Sequence, residues 1–226
     1  MSFLKKLTVS DYLFGVQTIL TFAFCGSQCY RMLESTEGLN ITWFTHWFVF
    51  SAILLLLAVR ADKALPSREA KQLIASYALW AVGAIVSIAF MLALEDDLWN
   101  GRDLMNMFLT AGGAMLVIAI ARLRGLPLLP RPDPVVKGML AICFKAMPQL
   151  IMGYNFVMSQ SCSGLSWVAL VIGHCTIWIR LSQLALIVKR AGWKWNRDDI
   201  GIAVAETGNE ASWIVVTIIW LHLTFS

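Results

Sequence analysis

The chain has 226 residues, of which 58% are hydrophobic and only 14% charged, and its net charge is +4. A soluble domain carries about a quarter charged residues, so this composition leaves too little polar surface for a water-soluble globule and excludes that class. The apolar residues gather in blocks of about 20, the length at which an α-helix crosses a hydrocarbon core of about 30 Å.

Seven blocks follow in chain order, over 11–32, 40–59, 70–94, 103–123, 134–158, 164–189 and 200–224. Each is expected to be a transmembrane helix, because lipid-exposed backbone must satisfy its own hydrogen bonds. Breakers separate them, the most proline-rich being RLRGLPLLPRPDP after the fourth. No small-residue cleavage site follows the basic MSFLKK start, so the first helix is expected to stay in the mature protein. Four of the five cysteines lie inside apolar blocks, and no CxxC pair points to a metal or a disulfide framework.

Charge sets the orientation. Lys5, Lys6, Arg60, Lys63, Arg68, Lys71, Arg122, Arg124, Arg131, Lys137, Lys189, Arg190, Lys194 and Arg197 all fall on the side of the N-terminus. The opposite side has Arg31 and Arg102, and Lys145 and Arg180 lie within blocks. The positive-inside rule puts the N-terminus in the cytoplasm and the C-terminus outside. Short loops favour a bacterial inner membrane. The basic balance is membrane anchoring, and nothing calls for nucleic acid or a cofactor.

An internal repeat is readable. The first block closes on Ser35-Thr36-Glu37-Gly38-Leu39-Asn40 and the fifth on Ser161-Cys162-Ser163-Gly164-Leu165-Ser166. Each turn leads into a helix with a tryptophan near its start, Trp43 or Trp167. An odd number of helices, three, separates the first from the fifth, so the two turns share an orientation, which fits seven helices as two parallel three-helix repeats joined by a linking helix, 3+1+3. The units are 1–94, the linker 95–132, and 133–226.

With Pro148-Gln149 and these two turns, the sequence resembles the PQ-loop superfamily, which includes the SWEET sugar transporters, lysosomal amino-acid exporters and the KDEL receptor. The resemblance implies a seven-helix carrier whose three-helix units rock about their proline kinks. The sequence departs from the family pattern at Cys25-Gly26, where the first repeat lacks Pro-Gln, and in a charge bias opposite to that of the SWEETs.

Candidate residues follow from chemistry. Pro148 removes a backbone hydrogen bond and clashes with the carbonyl of residue 144, so it is a hinge or a static kink, with Gln149 capping the freed carbonyl. Lys145 lies mid-block, where an unanswered lysine costs about 3 kcal/mol. Glu206 and Glu210, one turn apart, share a face of the seventh helix. A Lys145–Glu210 pair is therefore expected, either lining a central cavity or fixing helix registry, with Glu206 nearer the cytoplasmic mouth. Asn209 can donate and accept at once; the resemblance implies a substrate contact there, and an interhelical bond is the alternative. Trp80 and Trp213 are deep enough to line the cavity. Arg180 either snorkels to the headgroups or gates the cavity. His46 and His174 are interhelical bonding partners or proton relays. Trp43, Trp99, Trp167, Trp193, Trp195 and Trp220 read as interface anchors, and Gly112-Gly113 as a close helix contact.

The function expected is transport of a small polar solute (a sugar, amino acid, vitamin or nucleoside) by alternating access, with a possible proton link. A receptor or signalling module on the same scaffold is the alternative, and an intramembrane lipid-modifying enzyme a third. No HExxH, GxSxG or Ser/His/Asp spacing indicates an enzyme.

Overall fold

The computed structural model describes residues 9–64, 66–95, 99–128 and 132–226; of the basic residues that set the orientation, Lys5, Lys6 and Arg131 lie outside these. Seven helices account for most of the described chain: α1 Val9–Glu34, α2 Ile41–Ala64, α3 Arg68–Leu94, α4 Gly101–Leu123, α5 Pro134–Ser159, α6 Trp167–Arg190 and α7 Arg197–Phe225. Several run a few residues beyond the expected blocks because polar caps fix their ends. Ser67, Asn100, Asp133 and Ser166 accept hydrogen bonds from the first-turn N–H groups of α3, α4, α5 and α6, and Asn40 accepts from Trp43 N in α2. Asn196 and Asp199 form a reciprocal capping box, so α7 begins three residues earlier than its apolar block.

Six helices, α2 to α7, are long and apolar enough to cross a membrane. Burial is inverted relative to a soluble protein. Ile19, Phe22, Phe108, Met115, Leu116 and Trp178 are exposed, while Gln28, Asp103, Asn106, Thr110 and Ser87 are almost wholly buried. An apolar exterior around a polar interior is stable only where the exterior meets lipid. The chain is a multi-pass integral membrane protein.

Packing brings α3 against both α1 and α2, and α7 against both α5 and α6. Two contacts join these groups, α1 with α6 and α2 with α5, and α4 rests on α5 and α2. Helix α4 is tied to the start of α2 through Asp103 Oδ1, which accepts from Thr42 N at 3.1 Å and Thr42 Oγ1 at 2.8 Å. Asn106 Nδ2 donates to the same hydroxyl. Asn40, Ile41 and Thr42 are all buried at this end of α2. Of the expected glycine pair in α4, only Gly113 makes a close contact: a Cβ there would stand 3.2 Å from Cys143 Sγ, while Gly112 faces open space.

Candidate functional site

The site begins with the proline of α5. Pro148 has no N–H for the carbonyl of Phe144, and its ring crowds that carbonyl. The helix relaxes by widening to a π turn over Ile142–Ala146, with Met147 N–H donating to Ile142 O. A π turn inserts one residue and re-aims the side chains around it. Here Phe144 and Lys145 are turned inward, and both line a chamber between α1, α2, α3, α5, α6 and α7.

The chamber holds about 80 Å³, room for about six water-sized groups. Its deep end is aromatic. Trp80 packs edge-on to Trp47 at 5.3 Å and to Phe24 at 5.5 Å. Trp213 stands edge-on to Trp43 at 6.2 Å. The other end leads into a vestibule of about 620 Å³ whose wall includes Arg60, Lys137, Asp198, Gly201 and Glu206. Both spaces share Phe50, Leu54, Tyr77, Lys145, Arg180 and Glu206. A ring of charge therefore sits where the aromatic chamber meets the vestibule.

Within that ring Arg180 Nη1 donates to Glu206 Oε1 at 2.9 Å. Gln17, with its amide turned oxygen-inward, accepts from Arg180 Nε at 2.8 Å. Glu206 Oε2 is buried and has no hydrogen-bond partner. Lys145 lies over the Phe50 ring, 5.6 Å from its centroid, and has no carboxylate at ion-pair distance among the described residues. The expected Lys145–Glu210 pair is not formed. Glu210 Oε1 instead meets His174 Nδ1 at 2.8 Å and accepts from Trp178 Nε1 at 3.0 Å. His174 Nε2 meets Thr217 Oγ1 at 2.8 Å. The reason is rotational: α5 and α6 both pack on α7, and the face of α7 that carries Glu210 is turned to α6. The π turn leaves Lys145 facing Glu206 and Arg180, one turn lower. Arg180 does not snorkel outward; it closes the charged ring.

Gln149 and Asn209 are also brought together. Gln149 Nε2 donates to Asn209 Oδ1 at 3.1 Å, and Ser212 Oγ bonds Gln149 Oε1. Both amides also border the chamber. Gln149 thus bonds α7 and not a freed carbonyl of its own helix, and it ties the segment just after the kink to α7. His46 is half-buried with Nδ1 unpartnered, edge-on to Phe144 at 6.0 Å.

At the far end the two turns close on each other. Gly164 N donates to Glu37 O at 3.0 Å, Ser161 Oγ to Glu37 Oε2 at 2.9 Å, and the hydroxyls of Ser35 and Ser163 meet at 2.8 Å. Thr36 Oγ1 bonds Glu95. Gln28, fully buried, donates to Gly164 O and accepts from Ser166 N at 3.1 Å. Arg31 Nε reaches Ser163 O. Gly38 has φ +83°, a left-handed conformation suited to glycine, and a Cβ on it would stand 2.7 Å from Ser161 O.

Sequence reasoning missed Trp43, Trp47, Phe24, Tyr77 and Gln28. Trp43 reads as an interface anchor from its place at a helix start, yet it is 4% exposed and lines the chamber. Trp99, Trp167, Trp193 and Trp195 are exposed, as an anchor requires. The signal that could have found the inner group is the spacing of Trp43, Trp47 and Phe50 along one face of α2. Among the described residues no cluster of three His, Cys, Asp or Glu is placed to hold a metal. No protein-family model, curated protein or solved structure matches the chain.

Proposed function

We propose that this protein is a membrane transporter that carries a small polar solute by alternating access between two three-helix halves. The observation that carries the reading is a chamber between the halves that is open at one end through a vestibule and closed at the other by two turns bonded to each other. A carrier caught open to one side has this form.

The 3+1+3 plan, with 1–94 and 133–226 as repeats and α1 as a seventh span, draws support from helix length and packing. Helices α2 and α6 are both 24 residues, and α1 and α5 both 26. The third helix of each half packs on the other two, and α1 meets α6 as α5 meets α2. Exposed Ile19 and Phe22 give α1 a lipid-facing side. Under the positive-inside rule the vestibule opens to the cytoplasm. The turn motifs with Pro148-Gln149 keep the PQ-loop reading as the family proposal. Gln149 and Asn209, in this scheme, hold α5 to α7 and offer amide groups to the solute.

Counterflow in proteoliposomes, screened over sugars, amino acids, vitamins and nucleosides at two pH values, tests the reading. Exchange of at least one solute is expected. A rate that differs between the two pH values would support a proton link through Glu206 or the Glu210–His174 pair. Binding without exchange would favour the receptor alternative and overturn transport.

A further inference from the structure

We infer that the solute is a small carboxylate bearing a flat ring, its carboxylate set against Lys145 and Arg180 and its ring among the tryptophans. This rests on the transport reading for its biological use, but the binding site itself stands on geometry.

Charge gives the sign. The junction between chamber and vestibule carries two cations, Lys145 and Arg180, and one carboxylate, Glu206. Arg180 is matched by Glu206 at 2.9 Å and Lys145 faces the same carboxylate beyond ion-pair distance, so the junction holds one cation more than its carboxylate balances. A ligand carboxylate balances that excess charge. The approach has the same sign: the vestibule adds Arg60 and Lys137 against Asp198. Such a path concentrates anions and repels cations.

Hydrogen-bonding groups agree. The indole N–H groups of Trp43, Trp47, Trp80 and Trp213 make no hydrogen bond to any described residue, although all four rings border the chamber. Lys145 and these indoles are donors only. Four free indole donors beside a cation are complementary to a solute dominated by acceptors, as a carboxylate is. Glu206 Oε2, which has no hydrogen-bond partner, can take a ring hydroxyl or ring N–H.

Shape gives the ring. The chamber's room for about six water-sized groups matches one substituted six-membered ring. The walls that receive it are aromatic and set edge-on to each other at 5.3–6.4 Å, leaving ring faces for stacking. A sugar would bring no charge to a junction that is net positive. A ring cation would suit the indoles by cation–π attraction but would meet a net positive junction.

The test uses the full chain in phosphatidylcholine nanodiscs, titrated with benzoate, acetate, benzamide and benzylamine and followed by tryptophan fluorescence and by Tm. Benzoate is expected to quench fluorescence and raise Tm, with acetate and benzamide weaker by about tenfold or more. Lys145→Gln should raise the resting Tm, because it removes the excess cation beside Arg180. It should also weaken benzoate about tenfold and leave benzamide unchanged. Absence of any benzoate effect, or equal binding of benzamide or benzylamine, overturns the inference. Exchange of a sugar or amino acid in counterflow, with benzoate neither binding nor competing, overturns it while sparing transport. Benzoate binding with no solute exchanged keeps it and overturns transport.

Discussion

The two ends of the bundle are held by different chemistry. At the turn end, contacts run between the halves: Glu37 with Ser161 and Gly164, Ser35 with Ser163, Gln28 with Gly164 and Ser166. At the vestibule end, the strong contacts run within each half. Arg68 at the start of α3 meets Asp11 in the first turn of α1 at 2.9 Å, and Arg197 at the start of α7 meets Asp133 at the cap of α5 at 2.6 Å. Each half is clamped to itself at one end and laced to its counterpart at the other. In the proposed transport cycle such a body would move by separation of the lacing, with each half staying whole. The lacing consists largely of neutral hydrogen bonds, each worth about 1 kcal/mol net, so it can open without the penalty of stranding buried charge.

The strongest way to break the contrast is at the glycines of the lacing. Gly38→Ala would force a side chain into a left-handed conformation and against Phe156 Cδ1 at 2.5 Å. Gly164→Ala would press on backbone, 2.8 Å from Glu37 O. Strain and overpacking of this kind cost about 2–4 kcal/mol, which lowers Tm by about 5–10 °C in a chain of this size. Next is Gln28→Leu, which leaves Gly164 O and Ser166 N buried without partners. A cost of about 2 kcal/mol should appear as a smaller loss of Tm. Both effects are read by thermal unfolding in detergent. Unchanged melting in all three variants would remove the claim that this end is laced.

The open end should respond in the opposite sense. Glu206→Gln removes the partner of Arg180, but the vestibule admits water that solvates the freed guanidinium. Its effect on Tm is expected to be under that of Gln28→Leu, about 1 kcal/mol. Solute exchange should nevertheless fall by about tenfold or more, because two cations then face the solute without their counter-charge. A Glu206→Gln variant with full exchange and a large loss of Tm would invert the comparison.

Sequence reading reached the helices, their number and the two turns, because bilayer thickness and polar caps act locally. It also placed Trp80, Trp213, Lys145 and Asn209 near the middle, because depth is counted along a helix. It failed wherever rotation about the helix axis decided the outcome. The one-residue insertion of the π turn set which glutamate Lys145 faces. Whether Trp43 meets lipid or chamber depends on which neighbours cover α2, and its distance from the helix end carries no such information. Gln28 has no sequence signal at all; its role exists only once Gly164 is folded against it. The partner of Glu210 followed from rotation as well: α5 and α6 both pack on α7, and the face that carries Glu210 is turned to His174 on α6.

The within-half clamps give the mildest and most specific test. Burial pushes the Asp133 pKa up, but the Arg197 guanidinium, with Val135 and Val136 N–H, outweighs it and holds the carboxyl below its ordinary value of 3.8. A depressed folded pKa means stabilisation that is present above the unfolded value and lost as pH falls through the folded one. The clamp should therefore be intact at neutral pH and weaken only below about pH 3.8. Arg197 is half-exposed, so its share is screened, while the α5 N-cap bonds to Asp133 oxygens persist in part when Asn replaces it. Asp133→Asn should then lower Tm slightly at pH 7 and narrow the difference between pH 7 and pH 3 relative to the parent chain. The same acid-induced loss in parent and variant would mean that the clamp at the open end carries no weight of its own, and that this half is held together elsewhere along α5 and α7.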